Sequence, residues 1–82
     1  MPYIKQERRK EIDPTILNFC PKDAGDLNYV VTVMIDNFIN WRGENYKSFN
    51  EMIGALECCK QEYYRRIIAP YEDEKIKENG DV

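Results

Sequence analysis

Four consecutive residues, Tyr63, Tyr64, Arg65 and Arg66, form the densest group of chemically versatile side chains in this sequence. A phenol offers a stacking face and a hydroxyl. A guanidinium offers a planar fork of donors suited to phosphates, nucleobases or a partner's carboxylates. Helical spacing puts Glu57, Gln61, Tyr64 and Arg65 on one polar-aromatic flank, at steps of three and four, while Arg66 points elsewhere, toward Glu62 and Tyr63. Two readings of the group are open. In one, the tyrosines half-bury, and the arginines cap a helix C-terminus, worth about 0.3–1 kcal/mol against the macrodipole, or pair with Glu72, Asp73 and Glu74 beyond Pro70. In the other, Tyr64 and Arg65, with Tyr29, Asn45 and Tyr46, line a recess or a subunit contact. The stretch "GDLNY" is equally two-sided. Gly25 and Asp26 start a helix, or Asn28 and Tyr29 face a ligand or neighbouring chain.

Much chemistry is missing from the inventory. The chain has no histidine, which removes the commonest general base, the Ser-His and Cys-His nucleophile pairs and the commonest metal ligand. The four glycines, at 25, 43, 54 and 80, are isolated and make no phosphate cradle. Cys20, Cys58 and Cys59 show no zinc spacing. Adjacent residues on a helix diverge by about 100°, so Cys58 and Cys59 do not pair readily; all three read as buried, reduced thiols. Glu51 and Glu62 are expected on the solvent side of their helix, and Glu57 at the edge of the apolar face. A lone edge carboxylate is an ion-pair partner before it is a catalytic acid. No enzyme activity, cofactor or metal is expected.

Those side chains must be positioned by helices. In "DLNYVVTVMIDNFINW", the β-branched run from Val30 to Val33 suits a strand, but Leu27, Val30, Val31, Met34, Phe38 and Trp41 recur at helical intervals. Asn28, Thr32, Asp36 and Asn40 form a narrow polar stripe at steps of four. So wide an apolar face belongs at the centre of a fold or at a subunit contact. Gly43 supplies a stop. Ser48 and Glu51 match a capping box ahead of Phe49, Met52, Ile53, Leu56, Tyr63 and Ile67 on one face, with the Lys60 stem covering the gap. Pro70 is expected to kink or end that helix near Ala69, and "YEDEKIKENG" forms a last short helix stopped by Gly80. At the N-terminus a short helix or turn should end at Asp13, because Pro14 disfavours a helical residue before it. Pro14 would open another short helix, "PTILNFC", with Ile16, Leu17, Phe19 and Cys20 as core candidates. The fold class is therefore all-α: one domain over residues 1–82, two principal helices at about 26–41 and 49–69, and shorter flanking helices.

At 82 residues the chain lies near the lower limit for a self-sufficient core, where a metal, disulfides or a partner subunit usually helps. Hydrophobic residues at 43% and charged residues at 33% set it among globular rather than disordered chains. A net charge of −3 argues against broad nucleic-acid binding, which needs a cationic surface. No apolar run approaches the roughly 20 residues that span a bilayer, and no secretory signal is visible. A soluble, cytoplasmic, self-associating protein is expected.

"MPYIKQERRKEIDP", "GDLNYV" and "IGALECCKQEYYRRIIAPYEDEKIKENGDV" resemble a family of short, uncharacterised proteins of bacteriophages and prophages, nearly end to end. Its pattern is carried by Asn45-Tyr46, Ile53 to Glu57, Glu62 to Arg66, Ala69 to Asp73 and Glu78 to Val82. The resemblance implies a phage-type accessory protein in the host cytoplasm and supplies no activity. Proteins of that kind commonly bind a host target or a signal. The expectation is a non-enzymatic homo-oligomer acting on a host protein or a small nucleotide-type ligand, with an anti-defence role. A nucleotide would be held by Arg65 or Arg66 and stacked on Tyr29, Tyr46 or Tyr64. The rival is a structural or assembly component; a weaker one is an enzyme working through Glu57.

Overall fold

The computed structural model describes residues 3–82, so the expectations for Met1 and Pro2 lie outside the described residues. Four α-helices follow one another: α1 (Gln6–Ile16), α2 (Ala24–Arg42), α3 (Tyr46–Tyr63) and α4 (Ala69–Asn79). Among the described residues there is no strand, and the all-α class holds. A single π-helical turn, Tyr64–Ile68, joins α3 to α4, so the two run on as one rod. At about 1.5 Å per residue the rod is roughly 50 Å long, and it accounts for the molecule's 49 Å long axis.

The start of α2 follows from its cap. The Asp23 carboxylate accepts from the Asp26 backbone N–H at 2.8 Å, and the Asp26 carboxylate accepts from the Lys22 N–H at 3.2 Å, which satisfies donors that a helix start leaves open. Its end follows from Gly43, whose φ of 98° is a conformation that side chains resist. The Gly43 N–H closes the helix onto the Ile39 carbonyl at 2.7 Å. Gly80 ends α4 in the same way, at φ 81°.

Three expected boundaries move. The N-cap of α3 is Asn45, not Ser48: the Asn45 side chain accepts from the Ser48 N–H at 2.9 Å. The chain leaves Gly43 so abruptly that the first good cap residue after it is used. Ser48 becomes a buried residue of the first turn, and Glu51 reaches across the turn to Arg42 at 2.7 Å. Pro70 does not end its helix. An α-turn would drive the proline ring into the Arg66 carbonyl and leave that carbonyl without a donor. The π turn widens the helix there, with the Ala69 N–H reaching back five residues to the Tyr64 carbonyl. Pro14, likewise, sits inside α1 rather than between two helices. It costs one backbone bond close to an end that arrives at Ile16. The segment 17–20 is not helical, and Ile16, Leu17, Phe19 and Cys20 are exposed, not core.

The helices pack little. α2 and α3 form a hairpin that touches at its turn, where Ile39 (7% exposed) and Ser48 (2% exposed) are the buried residues. A small Ser48 side chain lets the two backbones approach there. α1 stands apart from the other helices. The chain exposes 7670 Å², whereas a compact monomer of 9.8 kDa exposes about 5,200 Å². Its radius of gyration is 16.3 Å, against about 12 Å for a compact domain of this length. A single chain therefore buries much less of itself than its apolar content calls for.

Candidate functional site

The seven side chains singled out in the sequence fall in three places. Glu57, Tyr64, Arg65 and Arg66 share the C-terminal part of α3 and the π turn. Asn28 and Tyr29 lie on the first turns of α2, and Tyr46 opens α3. Tyr46 and Tyr64 are separated by roughly 27 Å of helix, so one chain does not gather them around one ligand.

Within the first group, most of the polar atoms are already engaged. The Tyr64 hydroxyl donates to the Glu72 carboxylate, tying the first residue of the π turn to α4. That carboxylate, together with the charge of nearby Asp73, raises the Tyr64 pKa above the ordinary tyrosine value, because ionising the phenol would lose the bond and add like charge. Arg66 turns back to Glu62 at 3.3 Å. Glu57 accepts from the Gln61 amide at 3.0 Å and pairs with Lys60 at 3.1 Å; these two donors hold its pKa below the usual carboxylate value. The acidic segment after Pro70 is thus met by a tyrosine, not by the arginines. The arginines sit in the middle of a continuous rod, so they cap no helix end. Arg65 has no ion pair among the described residues and borders a shallow recess with Tyr3, Cys58, Gln61 and Glu62. Glu62, expected in solvent, has a side chain only 23% exposed, and Glu57 is the more open of the two. All three cysteines are free and exposed, not buried, because one chain has too little interior to take them in.

On α2, the Thr32 hydroxyl donates to the Asn28 carbonyl at 2.8 Å, so the polar stripe is partly spent on its own backbone. Asn28 borders an open groove with Leu27, Val31 and Thr32. Tyr29 is 71% exposed.

Two surface features go beyond the grouping expected from the sequence, which named Tyr46 as a site residue but did not pair it with Trp41. The first is a cleft of about 300 Å³ between α2 and α3, lined by Val30, Val31, Met34, Phe38, Met52 and Leu56 among others, all apolar. Their helical spacing is legible in the sequence as a face for a core or a subunit contact, and the single chain leaves it open. The second is the tip of the hairpin. Trp41, assigned to the apolar face, is 88% exposed, and Tyr46 is 82% exposed. They flank a turn fixed by the Gly43 conformation, the Asn45 cap and the Arg42–Glu51 bridge. Arg42 also stacks over Phe38, 5.5 Å from its ring centre. The signal for Trp41 was its place in the last turn before Gly43, where a helix end projects a side chain beyond the core.

Among the described residues no group of histidine, cysteine, aspartate or glutamate could hold a metal ion, and no helix is long and apolar enough to cross a membrane. Neither the curated proteins nor the solved structures hold a match to this chain. A family profile covers residues 1–82: the chain belongs to the family described as a domain of unknown function, DUF6899.

Proposed function

We propose that this protein is a non-enzymatic accessory protein that works by binding a protein target, with the hairpin tip as its recognition surface. The supporting observation is the pair Trp41 and Tyr46, almost fully exposed on either side of a rigid turn. Tryptophan and tyrosine lose little side-chain freedom on binding and dominate interface energetics when they meet a pocket. A turn tied by a cap, a positive-φ glycine and an ion pair presents them without a further ordering cost. The phage and prophage resemblance makes a host protein the target, in the host cytoplasm, and an anti-defence role the fitting purpose.

Nucleotide sequestration is the second reading, and one observation favours it: Arg65 has no acidic partner among the described residues and sits beside Tyr3 and Gln61. Against it, Tyr46 and Tyr64 are separated by roughly 27 Å of helix, and Arg66 is occupied by Glu62. A thermal-shift screen with cyclic di- and trinucleotides separates the two. A ligand at a hundredfold excess over its dissociation constant adds about 2.7 kcal/mol, a shift easily read in a chain this small. No shift is expected. A saturable shift that Arg65→Ala removes would replace the protein-target reading with sequestration. The structural alternative predicts the chain in purified particles; its absence from them is expected.

A further inference from the structure

The α2–α3 cleft is sealed at the hairpin turn and open along the rest of its length. Every side chain that lines it is uncharged and apolar, from Val30 and Met34 on one wall to Met52 and Leu56 on the other. Met34 is 51% exposed, Phe38 36% and Leu56 37%. Among the described residues no other helix packs over them, and α1 does not contact α2 or α3.

We propose that a second copy of this chain fills the cleft, so that two α2–α3 hairpins complete one four-helix core. This goes beyond the binding function above, which needs no particular stoichiometry. The first argument is area. Each chain exposes roughly 2,500 Å² more than a compact protein of its mass. A standard interface removes about 800 Å² from each partner, and obligate dimers remove more. A standard interface would remove about a third of that excess from each chain, and the larger contact of an obligate dimer correspondingly more.

The second argument is charge. The chain carries a net −3, so two copies repel across most of their surfaces. The cleft is where like chains can meet without opposing charges, because its walls carry none. Arg42 and Glu51, at its closed end, already satisfy each other.

The third argument is symmetry. A two-fold contact sets one patch against itself, so the patch must complement its own copy. An uncharged apolar wall does so without matched donors and acceptors. Two helices that meet at a short turn and leave an apolar seam are, in architecture, half of a four-helix bundle. The stripe of α3 continues past the cleft through Phe49 and Ile53, both exposed, which gives the second copy further surface to cover.

Sedimentation equilibrium of the full chain tests this directly. The wild type is expected to be dimeric at micromolar concentration. Met34→Glu and Leu56→Glu each place a carboxylate on the seam and should weaken association at least about thirtyfold, the loss of one interface hot spot. Tyr71→Glu, on α4 outside the cleft, should leave it unchanged. A monomeric wild type at high micromolar concentration overturns the proposal, as does an oligomer that tolerates both cleft variants. Because those variants can also fail to fold, wild-type hydrogen exchange provides a second reading. Amide protection over residues 30–38 and 52–56 should fall as the protein is diluted through its dissociation constant. Protection there that ignores dilution overturns the proposal. A monomer that still binds a host protein through Trp41 would remove the dimer and leave the function standing.

Discussion

The two ends of the α2–α3 hairpin are built differently. At the turn, between Ile39 and Glu51, the chain places a positive-φ glycine, an asparagine cap, a cross-turn ion pair and both buried side chains among the described residues. Toward the open end the same two helices carry an unbroken apolar seam and leave it uncovered. The turn is specified by local chemistry that one chain can complete alone. The open end is specified by a pattern that one chain cannot complete. What differs is the number of chains the physics requires, and that is why a clean secondary structure accompanies so thin a core.

Mutations sort along that contrast. The largest effect is expected at Ile39, the apolar residue that the turn buries. Ile39→Asp puts a charge where the helices cross and should cost at least about 3 kcal/mol, read as loss of cooperative unfolding by circular dichroism. Gly43→Ala comes next. A Cβ at φ 98° is strained whatever the space around it, and about 1–2 kcal/mol should be lost in denaturant titration. Gly54→Ala points the other way. A Cβ there meets nothing within 4 Å, and Gly54 lies off the apolar stripe of α3, so the change should stabilise the helix by about 0.5–1 kcal/mol. A loss instead would show that another surface packs against that side of α3, and would redraw the seam.

The smallest effect is a pH dependence far from the hairpin turn. The pKa of Tyr64 is raised in the folded chain by its bond to Glu72, so the folded state favours the neutral phenol. The corresponding stability is full below the ordinary tyrosine pKa and is lost as pH climbs through the raised one. Absorbance titration of the wild type against Tyr64→Phe should therefore show the missing tyrosine to be one that ionises late. Glu72→Gln should bring that ionisation back toward ordinary values.

Much of the fold was legible because it is local. The helical period of 27–41, the stop signals at Gly43 and Gly80 and the all-α class needed only neighbouring residues. The errors have a common cause: two signals competed, and the surroundings chose. Ser48 and Glu51 are a sound capping box, yet Asn45 lay nearer the turn and took the role. Pro70 leaves a kink or an end open, and one widened turn carries the rod past it without an end. The site was less legible still. For Tyr64, Arg65 and Arg66 the sequence leaves a recognition cluster and a structural role open, and two of the three are spent on Glu72 and Glu62. Trp41 falls by period on a face suited to a core or a subunit contact, and period alone cannot tell either from a position projecting past the last turn.

The claim on which the rest depends is that one chain holds half a core. It is tested most directly by the thermal unfolding midpoint of the wild-type protein, measured over a hundredfold range of concentration. Coupled association and folding predict a midpoint that rises steadily with concentration, because mass action favours the paired state. A midpoint that stays fixed across the whole range, in a sharp cooperative transition, would show a chain that folds alone and would contradict the account.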